Sequence, residues 1–342
     1  MTSKRYLGNI ITDTPTEPTD NYGSTSAHGV WSLAEAERYT AAGLWPTAGN
    51  VNPIALTTTA RDLNAVRIRT IDQISITTTG NATDFGGETL SSGAFNCAGF
   101  SDSVKRFEAG GNSVNVIQTL NYSSGSSSAD FGDLTAARGE CGGYSNSTRG
   151  IVGGGAGGFS GIGTIDYVTM ASAGNATDFG DMSAANRNQQ CRAAGSQTRA
   201  IFGGFESEKK KTDYITPSTT GNGTNYGDLT NDHNNAFVGA NLTRIIIAGR
   251  YTSGSDHIEY NTISSTGSFS SFGSLSVAKG WGGTACNSTR MVMMGGSHSG
   301  DEQNDISYVT IASTGNDTDF GDLTAKKSAM AAGAPSTPSV TG

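Results

Sequence analysis

The chain has 342 residues, of which 48 are glycine, 35% hydrophobic and 15% charged, and its formal net charge is −8. That length is ample for a large buried core. The acidic balance gives no general attraction for nucleic acid or anionic membrane. No apolar run reaches the ~18 residues that cross a bilayer, so neither nucleic acid binding nor membrane insertion is expected.

The first twenty residues, MTSKRYLGNIITDTPTEPTD, lack the apolar core of a secretory leader. The expectation is synthesis in a host cytoplasm. Residues 11–30 are rich in Thr, Pro, Asp, Gly and Ser and read as an extended arm. GVWSLAEAERYTAAGLWP follows, where Ser32 and Glu35 form a capping box for a short helix over 33–42 and Pro46 ends it. Trp31, Leu33, Leu44 and Trp45 give this piece much apolar surface. It either plugs the end of the next domain or anchors the chain to another subunit. Residues 1–64 are thus expected to form a separate attachment segment ahead of a domain at 65–342.

The rest of the chain is repetitive. Phe-Gly or Tyr-Gly recurs at Phe85, Phe131, Phe179, Tyr226, Phe272 and Phe320, with spacings of 46, 48, 47, 46 and 48 residues. Typical surroundings are MASAGNATDFGDMSAAN and IASTGNDTDFGDLTAKK. A second motif follows at fixed lag (NSTRGIVGGG, SQTRAIFGGF, NLTRIIIAGR, NSTRMVMMGG), and a third precedes the aromatic residue (IDQISI, IDYVTM, IEYNTI, ISYVTI).

GIVGGG and its counterparts are short apolar runs ended by glycine, which suits a strand buried on both faces. IDYVTIAS alternates, as a strand with one wet face does. TGN reads as a tight turn in which Gly and Asn accept positive φ. TDFGDL is a further short strand with its Phe turned inward, and CGGYS another. Four short antiparallel strands per 47 residues or so make a propeller blade. The diglycine is expected where backbones crowd near the axis.

The chain before Phe85 supplies only the later strands of a blade, and the chain after Phe320 only the early ones. Pairing the two ends closes the ring and removes its exposed edges. The expected fold is therefore all-β: a six-bladed propeller of four-stranded blades, closed by N- and C-terminal strands.

Chemical motifs are expected to be absent. Cys97, Cys141, Cys191 and Cys286 form no CxxC pair; the first three each lie eight residues before a basic residue and so occupy equivalent positions, as buried apolar side chains. The repeated DFG has no kinase companions, and GGGAGG at 153–158 lacks the Gly-Lys-Ser/Thr ending of a phosphate loop and reads as an interstrand loop. The histidines are scattered. GSHSGDEQND gathers Asp301, Glu302 and Asp305, a set that suits a hard cation but lacks the regular DxDxDG spacing, and it reads as a solvated acidic loop. No catalytic residue, metal ligand or cofactor is expected.

Variation concentrates in the loop after the diglycine strand: GNSVN, GAGGFSGIGT, FESEKKKT, RYTSGSD and SHSGDEQN. Equivalent loops share one face of a propeller, and divergent loops on a rigid scaffold suit recognition. The candidate contact residues are Lys209, Lys210, Lys211, Tyr251, His298, Asp301 and Glu302.

The diglycine after an apolar strand resembles the kelch repeat, without its Tyr and Trp at set distances. The phrases TGNATDFGDLT, STRxxxGGG and IDYVTIAS resemble repeat proteins of phages, especially phages of cyanobacteria, and GVWSLAEAERYTAAGLWP resembles a segment of phage virion proteins. The resemblance implies a non-enzymatic, multi-copy or homo-oligomeric virion component. It would contact other tail, fibre or capsid subunits and a host-surface glycan or protein. A tail or tail-fibre part comes first and a capsid decoration or head-fibre protein second. A carbohydrate-active or oxidase propeller enzyme is the alternative from another class.

Overall fold

The computed structural model describes residues 54–333 apart from gaps at 59, 63, 65–66, 89–95, 112–113, 123–126, 158–159, 185–189 and 252–254, together with Ala34 and Glu35. The chain divides into two compact units, Met1–Asn52 and Pro53–Gly342. In the first, Ala34 and Glu35 are helical and exposed, inside the helix expected over 33–42. Trp31, Leu33, Leu44, Trp45 and the capping serine Ser32 lie outside the described residues.

The second unit is a six-bladed β-propeller: six four-stranded antiparallel sheets whose innermost strands abut in order round a ring. Blade 1 takes its innermost strand, Ala331–Gly333, from the C-terminal side and its other three, Ile54–Thr58, Thr70–Ser75 and Thr83–Glu88, from the N-terminal side. Leu56 pairs with Gly333 and Thr58 with Ala331, which is the closure the two part-blades required. Blades 2 to 6 follow in chain order. Their innermost strands are Ala98–Ser101, Gly142–Ser145, Arg192–Ser196, Phe237–Ala240 and Gly283–Cys286.

The propeller unit starts upstream of the expected boundary at residue 65. Ile54–Thr58 occupies the place of a GIVGG strand but has neither NSTR before it nor a diglycine after it. Only its pairing identifies it.

An apolar cluster fills each gap between neighbouring blades. Between blades 2 and 3, for example, Phe100, Phe107 and Phe131 pack with Cys141, Val152 and Val168. Each such buried side chain contributes roughly 1.5–3 kcal/mol. Phe131, Phe179, Tyr226, Phe272 and Phe320 are all buried, as their inward reading predicts, whereas Phe85 is partly exposed.

Polar staples repeat from blade to blade and explain much of the repeat's wording. The Asn of TGN accepts a bond from the neighbouring blade: the Asp133 amide donates to Asn175 Oδ1 at 3.1 Å, and the Asp181 amide to Asn222 Oδ1 at 3.0 Å. The role expected for this Asn, closing a tight turn with positive φ, is therefore corrected. The glycine after the aromatic residue is needed for the same contact in blades 2 to 6, since a Cβ on Gly132 would sit 2.2 Å from the Gly174 carbonyl.

The Arg of STR is a second staple. Arg149 lies 4.5 Å from the Tyr167 ring centre and donates to the Pro217 carbonyl of the next blade at 2.8 Å. Arg199, Arg244 and Arg290 repeat both contacts.

The diglycine is also corrected. Gly110, with φ of 70°, ends the second strand of blade 2, where a Cβ would lie 2.3 Å from the Arg138 carbonyl of the connection to blade 3. The crowding is therefore against an inter-blade connection.

A third staple was misread as a wet face. Asp166 in IDYV is fully buried. It accepts bonds from the Thr135 amide and hydroxyl at 3.0 and 2.8 Å and pairs with Arg138 at 3.0 Å. Asp72 receives Thr324 and Lys327 in the same way, and Asp213 receives Ser183. Buried charges demand such partners.

Candidate functional site

The connections between blades and the second-to-third-strand loops emerge together on one face, here the upper face, as bridges such as Gly139–Ala156 and Gly280–Ser297 show. Two features share it: the mouth of the ring axis and the divergent loops.

The mouth is framed by a collar of six residues. Asn96, Glu140, Gln190, Asn235, Trp281 and Ala329 each have positive φ, between 47° and 67°, one ahead of every innermost strand. None is glycine, so each stores of order 1 kcal/mol of backbone strain. Amide–carbonyl bonds run round the collar. Asn96 donates to Ala329 at 3.0 Å, Glu140 to Asn96 at 2.8 Å, Trp281 to Asn235 at 2.6 Å and Ala329 to Trp281 at 2.7 Å.

Between blades 3 and 4 it is Cys191, next to Gln190, that donates to Glu140 at 2.9 Å, and the run is interrupted between blades 4 and 5, where Asn235 donates to Gly204 instead. Arg192 spans that gap, donating to the Cys191 carbonyl at 2.8 Å and to Asn235 Oδ1 at 3.2 Å. Burial pulls the Arg192 guanidinium below its ordinary pKa, against the pull of Glu140, and burial pushes the Glu140 carboxyl up.

On the opposite arc, Trp281 Nε1 reaches past the small Ala329 to donate to Asn96 Oδ1 at 2.6 Å. Arg61 lies over the Trp281 indole at 4.0 Å, and the Tyr251 ring packs against it at 4.5 Å.

Beneath the collar lies an axial channel of about 40 Å³, lined by every blade: Gly99, Gly143, Ala193, Val238, Thr284 and Ala332 form one tier. The volume suits a few water molecules and excludes larger ligands. Cys97 and Cys141 also line it. All four cysteines are free and buried, as the sequence suggested. Burial raises the Cys141 and Cys191 thiols and pushes Cys286 up to about 12, so these are protonated, weakly nucleophilic groups. Among the described residues, no three His, Cys, Asp or Glu side chains are placed to hold a metal ion.

The sequence-nominated contact residues separate into three groups. Lys209, Lys210 and Lys211 line an open groove of about 410 Å³ on blade 4 with Glu206, Glu208 and Asp232. Two of these lysines are tied down, Lys211 to Asp228 at 2.8 Å and Lys210 to the Thr230 carbonyl at 2.8 Å. His298 and Asp301 are exposed at the tip of a long hairpin on blade 6, where His298 Nδ1 donates to the Ala278 carbonyl and Asp301 pairs with Lys326 at 3.2 Å.

Glu302 departs from the expectation of an exposed contact residue. It is only 3% exposed, accepts a bond from Ser328 Oγ at 3.1 Å and lies 3.9 Å from Arg61 Nε. The hairpin turns its side chain inward, because successive strand residues face opposite ways. Glu302 and Tyr251 thus support the mouth through Arg61 and Trp281. The glycine-rich segment at 153–158 is partly a raised hairpin, with Ala156–Gly157 paired to Ser160–Gly161.

Trp281, Arg61, Asn96 and Arg192 were missed in the sequence. The collar positions hold six residues of five types, so no repeated word marks them. The nearest signal was the lone Trp281 inside KGWGG, where the other repeats carry nothing comparable.

No family model matches this chain, and no curated protein matches it.

Proposed function

We infer that the chain is a non-enzymatic contact module of a bacteriophage particle, a tail or tail-fibre component before a capsid decoration, with the upper face of the propeller as its recognition surface. The observation that carries the recognition reading is the contrast between the faces. The arginine and carboxylate staples each recur at four of the six interfaces with the same geometry, while the raised loops on the upper face differ in length, charge and shape. A scaffold of that kind holds variable loops in fixed relative positions, which lowers the entropy lost on binding. The particle assignment rests on the resemblance of the repeat phrases and of the Trp31–Pro46 segment to phage virion proteins. The N-terminal segment then supplies attachment to a neighbouring subunit, and several copies arise from particle symmetry.

Quantitative mass spectrometry of purified particles tests the assignment: the chain should be present at a fixed copy number relative to the major capsid protein. Its absence from particles, or turnover of a glycan by the isolated chain, would remove the reading. Particles in which Glu206–Lys210 is replaced by a short Gly-Ser loop tests the recognition face. They should assemble normally and adsorb to host cells differently.

A further inference from the structure

The arginine staple joins four of the six blade interfaces and the buried carboxylate joins four, since blade 2 has Lys105 and Thr119 in place of the Arg–Tyr pair and blade 6 has Ser307 in place of the carboxylate; the interface between blades 1 and 2 lacks both. The position of the stapling arginine is occupied in blade 1 by Ile54, and that of its tyrosine partner by Gln73, so blade 1 holds no Arg–Tyr pair. In blade 2 the buried carboxylate position of IDYV is Gln118, a neutral side chain. The outer strand of blade 1 is distorted. Gly86 and Gly87 have φ of 82° and 69°, where the corresponding glycines of blades 2, 3 and 6 have 156°, 143° and 147°.

Among the described residues, the apolar filling of this gap is Leu56, Ile71, Leu120 and Tyr122, with Ile54 and Phe85 only partly buried against them.

The gap also holds a charge. Arg106 takes the position that is Ala55, Gly150, Ala200, Ile245 and Met291 in the other blades. It is fully buried against Gly99, and its Nε and both terminal nitrogens have no hydrogen-bond partner. A buried guanidinium without hydrogen-bond partners, here attracted by the buried Glu108 but not bonded to it, destabilises whatever closes over it and is relieved by water entering.

We propose that the ring opens reversibly at the interface between blades 1 and 2, ahead of global unfolding, with hydration of Arg106 as the driving gain. The joint made by the chain termini inside blade 1 stays shut, because there the two segments share a hydrogen-bonded ladder. Opening is a sub-global event of low free energy, of the kind that sets local exposure in otherwise stable folds.

Native-state thiol labelling of the full chain tests this. Leu120→Cys reports on the proposed seam, and Val168→Cys, at the matching strand position between blades 2 and 3, is the control; the buried Cys141, Cys191 and Cys286 are internal references. The expected result is labelling of Leu120→Cys at least about tenfold faster than of Val168→Cys, and slower labelling once Arg106→Met is added. Equal rates at the two positions, or no slowing by Arg106→Met, would overturn the proposal. Hydrogen exchange of the unsubstituted chain needs no variant to fold. Peptides across Val116–Asn121 should exchange faster than peptides across Thr164–Thr169, and the reverse order would also overturn it.

Discussion

Arg138 and Asp166 belong to the two sides of one blade interface and meet at 3.0 Å with both side chains fully buried. Asp166 also takes the Thr135 amide and hydroxyl, so the carboxylate depends on the connection ahead of its blade. Replacing Arg138 by Met would keep the volume and strand the carboxylate. The expected loss is about 3–5 kcal/mol in urea denaturation, because an uncompensated buried charge is what remains. Arg138→Met combined with Asp166→Leu should recover part of that loss. Additive damage in the double variant would show that the two residues act separately.

Glycine after the aromatic residue predicts an asymmetric result at one contact. Gly132→Ala would force a Cβ to 2.2 Å from the Gly174 carbonyl, backbone that cannot move aside without separating blades 2 and 3. A loss of about 2–4 kcal/mol is expected, in the range of severe steric substitutions. At Gly174 itself a Cβ meets open space, so Gly174→Ala should change stability by less than about 0.5 kcal/mol. Thermal melts of the two variants side by side check the pair.

How far the sequence revealed this structure depends on whether a feature repeats as a word. Phe131-Gly132 and its five counterparts fixed the blade count, because five of these glycines, Gly132, Gly180, Gly227, Gly273 and Gly321, meet a neighbour's turn and cannot vary. Ring closure was legible from two complementary part-blades. Ile54–Thr58 was missed because its pairing partners, Ala331–Gly333 and Thr70–Ser75, define it while its own residues carry no motif. Asp166 was read as solvent-facing because period-two alternation reports side-chain direction, and a neighbouring blade covered that side. The collar escaped for a different reason. Its requirement is a left-handed backbone, which Asn96, Glu140 and Trp281 all satisfy at a cost, so no residue type marks it. Glu302 looked exposed inside an acidic run, yet the hairpin turns alternate side chains inward.

Glu259 makes stability depend on acid. Burial would raise its carboxyl, but His233 at 3.6 Å and hydrogen bonds from Thr230 and Asn231 outweigh burial and hold it at about 2. Its folded value is below the unfolded one, so its contribution is present above the ordinary Glu pKa of about 4.3 and is lost as pH falls toward 2. Denaturation midpoints should therefore decline between about pH 5 and pH 2. Glu259→Gln should lower the neutral-pH midpoint and flatten that decline. An unchanged acid slope in the variant would assign the decline to other carboxylates.

The thiols give the opposite sign. Burial raises Cys141 and Cys191 and pushes Cys286 up to about 12. A folded value above the unfolded one contributes stability that is complete below the unfolded thiol pKa of about 8.5 and is lost as pH rises through the folded value. The midpoint of unfolding should accordingly be flat with respect to these groups at neutral pH and fall above about pH 9, because only the unfolded chain then releases the protons. Cys286→Ala should reduce that alkaline loss, at the expense of a small cavity beside Phe237 and Met291 in the cluster they share. The same burial predicts chemistry. A soluble disulfide reagent at pH 8 should leave Cys141, Cys191 and Cys286 of the folded chain unmodified and label all four cysteines in denaturant. Labelling of Cys141 in the folded chain would show that the axial channel admits more than water.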